Sequence, residues 1–395
     1  MTAWRLYAAV IGPAAVVGAL VALLISGGPK LGSATPRFDP LHSPSASPGA
    51  ATSPRPARSP LASSAPSPSL TTLALEALLR PLASNWRPEA TTVIVEQAEP
   101  GGGSTLIAIP SAGGSPLPLV QLASHQGWDL TLNGERLAVA LATGGERSRV
   151  ATWDTRTGQI AWLSAADDVT ERGPVWSPDG VFVYFGRSSA GRDIGIFRAQ
   201  VRDRQVTRVR PPLDGAEVSV PTGFTPDGVS LVWSKRSLAD SVELFDLQTG
   251  AERSFGSRPA RVVAWRPTRP RALVEAAGSG GTSVSLWDDL EPAASARPVG
   301  SPDARTRGAD FDPAGTRVVV SAGDRLVLVE PAGTTSSVSA PGASSPIWLR
   351  AGIAYLASVD GAEPREVRMV SPTGTAPRAL YATPAGLVRV AYISP

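Results

Sequence analysis

Three arginines, Arg172, Arg261 and Arg307, each stand four residues before an aromatic side chain, at Trp176, Trp265 and Phe311. Gln126 and Ser344 hold the corresponding position in two other segments. Guanidinium groups converging on one place would hold a carboxylate, a phosphate or an acidic peptide through paired N–H donors. Against that reading stands the abundance of arginine in this chain, from which a column of three can arise by chance.

Composition limits what other chemistry is open. Cysteine is absent and there are two histidines, His42 and His125. Disulfides, thiolate metal sites, a cysteine nucleophile and a multi-histidine metal centre are thereby excluded. A Ser-His-Asp arrangement would have to use His125, and no G-x-S-x-G elbow exists. No phosphate-binding P-loop, dinucleotide fingerprint or His-Glu-x-x-His pattern is present. The glycine runs at 101–103 and 278–281 read as hairpin tips, because no helix carrying Lys and Ser/Thr follows them. No catalytic residue, metal or cofactor is expected. The candidate ligand-binding set is Arg172, Arg261, Arg307, Gln126 and His125.

These residues must be positioned by strands. Beyond Arg87 the chain is built of short Val, Leu, Ile and aromatic runs separated by Gly, Pro and Asp turns. That pattern predicts β-structure. Two elements recur: an aromatic or Leu followed four residues later by a turn glycine, and a strand end followed by a polar turn and glycine. The first reads LTLNG, WSPDG, FTPDG, FDPAG and WLRAG, ending at Gly134, Gly180, Gly228, Gly315 and Gly352, with a degenerate copy at Trp265. The second reads WDTRTG, FDLQTG, VEPAG and VSPTG, ending at Gly158, Gly250, Gly333 and Gly374. In WSPDG, proline presets φ, Asp179 bonds its own backbone and Gly180 takes φ > 0, so Asp179 is expected to be a turn residue and not a working carboxylate. The aromatic column of Trp176, Phe224, Trp265, Phe311 and Trp348 is expected to pack between repeats.

Each repeat holds four strands, the make-up of a propeller blade. Residues 91–122 supply only three strands and residues 387–395 a lone final one, so the two ends are expected to complete one blade. Six internal units and this composite predict an all-β, seven-bladed propeller of four-stranded antiparallel blades, closed by its terminal strands. The arginine column would then lie where the innermost strands enter the central channel.

Ahead of the repeats, three segments are expected: an N-terminal transmembrane anchor or signal segment at 1–28, a Pro/Ser/Ala-rich stalk at 29–69 with nine prolines between residues 35 and 70, and the propeller region from 70, opening on a short helix over 70–80, with blades from about 91. The run from Trp4 to Ile25 carries Arg5 as its single charge, and twenty-two helical residues span about 33 Å, enough to cross a bilayer core. The net charge is +3, yet residues beyond 70 hold 32 basic against 33 acidic side chains. A near-neutral folded part gives no basic face for nucleic acid.

The Trp-Ser-Pro-Asp-Gly repeats resemble TolB-type, WD-repeat-like propeller repeats of bacterial exported proteins, and Trp153-Asp154 with Thr157-Gly158 is similar to the end of a WD-repeat blade. The resemblance covers residues 91–395 and implies a propeller placed outside the cytoplasm, which the apolar run at Trp4–Ile25 is expected to tether to the cell membrane by a single span. The family includes proteins that bind other envelope proteins, and the stalk and the lack of catalytic residues favour a non-enzymatic module binding a protein, peptide or envelope component. Two alternatives are a propeller enzyme acting on a sugar or lactone through Arg, Asp and His125, and a sensory ectodomain of a regulatory complex.

Overall fold

The structure, a computed structural model, describes residues 75–88 and 91–393 apart from 167, 216, 236–240, 255–259, 266–271, 279–280, 288–296, 300–305, 359–362 and 375. The N-terminal unit (1–68) lies outside them, as do the predicted anchor and stalk. Among the described residues no helix is long and apolar enough to cross a membrane.

The first sheet is ordered β1 (Leu79–Pro81), β4 (Leu117–Leu122), β3 (Ser104–Pro110), β2 (Thr92–Ala98) and β29 (Leu387–Ile393). The predicted joining of the two ends is thus observed: β29 pairs antiparallel with β2, Val390 opposite Val95 and Arg389 opposite Glu96. The extra strand β1 was not expected. Of the predicted helix, the described part is one helical turn at 75–78, after which the chain is strand. Leu75 and Leu79 are fully buried against Leu119 and Leu122, and Leu79 pairs with Leu122. Pairing the exposed edge of β4 and burying two leucines outweighs continuing a short helix ahead of Pro81.

The second sheet has eight strands: β5 (His125–Leu130), β6 (Arg136–Gly144), β7 (Arg147–Asp154), β8 (Ile160–Trp162), β9 (Thr170–Trp176), β10 (Phe182–Ser189), β11 (Arg192–Gln200) and β12 (Val206–Arg210). Four four-stranded sheets follow. They comprise β13 (Ser219–Phe224), β14 (Ser230–Lys235), β15 (Glu243–Asp246) and β16 (Glu252–Ser254); β17 (Ala260–Trp265), β18 (Ala272–Gly278), β19 (Gly281–Trp287) and β20 (Arg297–Val299); β21 (Thr306–Phe311), β22 (Val318–Ala322), β23 (Arg325–Val329) and β24 (Thr335–Ser339); and β25 (Ala343–Leu349), β26 (Gly352–Ala357), β27 (Glu366–Val370) and β28 (Arg378–Ala382). The first strands of successive meanders touch one another, β5 with β9, β9 with β13, β17 with β21, β21 with β25 and β25 with β29. These are the inner strands of an all-β propeller.

The expectation of seven separate blades is corrected. Hydrogen bonding gives five single blades and one double sheet. The cause lies in β8, which covers only residues 151–153 of β7. The uncovered edge of β7 is taken by β9 through a parallel pairing of Ser148 with Thr170, and the buried Glu171 carboxylate accepts the Val150 N–H at 2.6 Å. An N–H left bare there would carry a desolvation cost of about 1–3 kcal/mol.

The turns behave as predicted. Asp179 accepts from Ser177 Oγ at 2.5 Å and from Val181 N at 3.0 Å, and Asp227 repeats both bonds with Thr225 and Val229 at 2.6 and 3.0 Å. The aromatic column packs across seams: Trp176 against Ala138 and Val150, Phe311 against Leu273 and Val284, and Trp348 against Val319 and Leu326. Phe224 meets Tyr184 edge-on at 5.1 Å between ring centroids.

Candidate functional site at the start of the inner strands

Every inner strand is interrupted by a register shift between its second and fifth residues, at Gln126–Gly127, Gly173–Pro174, Thr222, Val263, Arg307–Gly308, Ser345–Pro346 and Val388. A bulge bends a strand and redirects its side chains. Neighbouring bulges touch. A Cβ on Gly173 (φ +55°) would stand 2.6 Å from Val220 Cγ1 and 2.7 Å from Pro221 O, and one on Gly308 (φ +110°) 3.2 Å from Ser345 Cα. Glycine at these two positions lets adjacent inner strands close on each other.

The arginine column sits at this level, but its members take different partners. Gln126 and Arg172 flank the touching bulges of β5 and β9, and both are half-buried. Arg172 Nη1 donates to Ser188 Oγ at 2.7 Å. Arg261 turns onto its own blade, where Nε donates to the buried Glu275 at 2.6 Å. Ser344 Oγ donates to Leu356 O at 3.3 Å. Arg307, half-buried beside Gly308, forms no ion pair among the described residues. The structure therefore places Gln126 beside Arg172 and Arg307 beside the Ser345 bulge, while Arg261 is neutralised.

His125 is part of a different arrangement. Its Nε2 lies 3.0 Å from Ser104 Oγ and 3.1 Å from Glu96 Oε1, and its Nδ1 accepts the Gly127 N–H at 3.3 Å. Glu96 Oε2 accepts from Trp128 Nε1 at 2.7 Å. Arg389, opposite Glu96 on β29, lies over the Trp128 ring at 4.3 Å and donates to Trp128 O at 2.7 Å. Burial pushes the Glu96 carboxyl up, but the hydrogen bonds and charges of His125, Trp128 and Arg389 together hold it below the ordinary carboxylate value. Serine and carboxylate meet the same ring nitrogen, whereas nucleophilic catalysis needs them on opposite nitrogens so that the acid orients the base. Ser104 is also buried. This group joins two blades and does not form a relay.

Asp129 escaped sequence reading, while Asp310, which the enzyme alternative needs beside His125 together with Glu171, is held by a neighbouring inner strand. Asp129 on β5 accepts the Trp176 N–H of β9 at 2.8 Å, and Asp310 on β21 accepts the Trp348 N–H of β25 at 2.8 Å. Burial pushes their carboxyls up to about 6 and about 7 respectively, against the lowering effect of those backbone bonds. The signal that could have found Asp129 is the place it shares with Asp310, five residues before the turn glycines Gly134 and Gly315. Glu171 also lies apart from His125: it is fully buried and paired with Arg187 at 2.8 Å.

No family model matches the chain, and no curated protein does. Among solved structures, a puromycin-hydrolysing peptidase from Mycobacterium tuberculosis aligns with TM-score 0.55 and 16% identity over 80% of this chain and 55% of that one. The β-propeller domain of the Trilobed protease from Pyrococcus furiosus, described as having an open velcro topology, aligns with TM-score 0.51 and 11% identity over 77% of this chain and 95% of that one. TolB from Acinetobacter baumannii, of the kind the repeats resemble, aligns with TM-score 0.44 and 19% identity over 62% of each chain. The first two alignments establish the propeller fold and nothing of activity.

Proposed function

We propose that this chain is a membrane-tethered, extracytoplasmic propeller that binds a protein, peptide or envelope ligand at the start of its inner strands and performs no catalysis. The supporting observation is the inner-strand level itself: Arg307 stands there without an ion pair among the described residues, with Gln126 and Arg172 at the same level of two other strands, while the one histidine of the described region is consumed by Glu96 and Ser104. Guanidinium donors in such a setting suit a carboxylate or phosphate group on the ligand.

The test uses full-length chain purified in detergent as bait for envelope extracts, beside the Arg172→Ala/Arg307→Ala variant. A partner retained by the wild type, confirmed with purified components and weakened about tenfold or more in the variant, supports the reading; a tenfold loss corresponds to about 1.4 kcal/mol. Equal binding by both proteins sinks the arginine site.

A further inference from the structure

The composite blade differs from the others in how its inner strand is held. Each other inner strand is followed within seven residues of sequence by the next strand of its blade, whereas β29 meets β2 only through pairing of segments far apart in sequence. β29 also carries two exposed residues, Arg389 and Tyr392, where every other inner strand carries at most one. Besides its main-chain pairing with β2 and the packing of Val390 and Ala391, three side chains hold it. Leu387 is buried among Val95, Ile107 and Leu356, and Ile393 among Ile94, Trp128 and Leu137. Between them Arg389 covers the Trp128 ring and bonds Trp128 O. The loop before β29, residues 383–386, reads Thr-Pro-Ala-Gly. Its outer bonds are few: Ala98 N to Gly386 O at 2.9 Å, Leu387 N to Pro364 O at 2.7 Å and Thr383 N to Arg365 O at 3.0 Å.

We infer that the edge of β2, with its two apolar sockets and the Trp128 platform between them, is a strand-acceptor site, and that it takes β29 from a second copy of this chain as well as its own. The recognition elements travel with the strand, as Leu-x-Arg-x-x-x-Ile, so an incoming copy restores every main-chain bond, both sockets and the arginine contact. Strand addition of this kind draws affinity from main-chain bonds and specificity from alternate side chains. Exchange of an identical element replaces like with like, so its net cost is confined to opening the seam and ordering the loop. The inference is independent of the arginine site.

The absence of cysteine makes a clean lock available. Val95 and Val390 are Cα partners, and directly opposed residues of an antiparallel pair lie within disulfide reach. Full-length protein in detergent is incubated with a fluorescent peptide of residues 386–395, and two differently tagged full-length copies are mixed in parallel. The expected result is peptide uptake and mixed-tag species in wild type, abolished in the oxidised Val95→Cys/Val390→Cys variant and restored on reduction. An Arg389→Ala peptide should bind about tenfold more weakly. The inference is overturned if folded wild type takes up no peptide, if a scrambled peptide binds equally, or if mixed-tag species persist in the oxidised lock, which would assign association to another surface.

Discussion

Replacement of Asp310 by Asn should flatten the pH dependence of stability. The Asp310 carboxyl is pushed from 3.8 up to about 7, mainly by burial. An acid whose folded value is raised binds a proton in the native state that the unfolded state has already lost, so stability is greatest below the unfolded value and falls as pH rises towards 7. Each unit in that window is worth about 1.4 kcal/mol, giving a ceiling of about 3 kcal/mol between pH 5 and pH 7. Asp310 is only half-buried, and contact with water reduces the expected loss to about 1–2 kcal/mol. The carboxylate accepts two backbone N–H groups, Phe311 at Oδ1 and Trp348 at Oδ2, each at 2.8 Å. Asparagine offers one oxygen, so Asp310→Asn should be about 1 kcal/mol less stable than wild type at pH 5. At pH 8 the deficit should vanish or reverse, because wild type then bears the cost of the desolvated charge. Urea unfolding of both proteins from pH 5 to pH 8 measures this directly. Parallel profiles for the two proteins would refute the assignment, leaving any residual slope to Asp129, whose carboxyl is raised to about 6.

Two further predictions concern the seams. Gly173→Ala places a Cβ 2.6 Å from Val220 Cγ1 and 2.7 Å from Pro221 O at φ +55°, and should cost about 2–4 kcal/mol in urea unfolding through strain and overpacking. Gly191→Ala, at φ +76° with nothing within 4 Å of the added carbon, serves as control and should cost about 1 kcal/mol; equal losses would show that contact between bulges contributes nothing. Glu171→Gln leaves Arg187 without its partner in a buried site and should cost about 3–5 kcal/mol, most of it recovered in Glu171→Gln/Arg187→Met. A double variant no better than the single one would place the energy in the lost carboxylate acceptor and not in the stranded charge.

Local chemistry made much of this fold readable. The Pro-Asp-Gly turns, the aromatic column and the joining of the two ends follow from residue types at fixed spacing, because turns are decided within four residues and a ring must close its edge. What escaped depends on contacts between distant segments. The strand β1 is set by Leu75 and Leu79 meeting Leu119 and Leu122, leucines forty or more positions away. The double sheet follows from the shortness of β8, and strand length is poorly marked in a run such as Gln-Ile-Ala-Trp. The network of Glu96, His125, Trp128 and Arg389 requires the register of β29 on β2, which no local pattern fixes.

The arginine column shows why spacing alone does not define a site. Counting back from the aromatic residue places Arg172, Arg261 and Arg307 at one level, and the structure keeps that level. Each strand, however, has its bulge at a different residue. In β9 it follows Arg172, leaving Arg172 opposite Gly186, and the side chain reaches Ser188. In β17 it falls at Val263, two residues later, so Arg261 stays in register opposite Glu275 and is neutralised there. In β21 it begins at Arg307 itself, which therefore has no opposing residue to pair with. Three identical side chains at identical spacing thus acquire three chemical states from a one- or two-residue difference in where the strand is bent. Binding should accordingly depend on Arg307 first and on Arg172 second. Arg261→Ala should leave the ligand untouched while stranding the buried Glu275, a loss of stability that urea unfolding separates from a loss of binding.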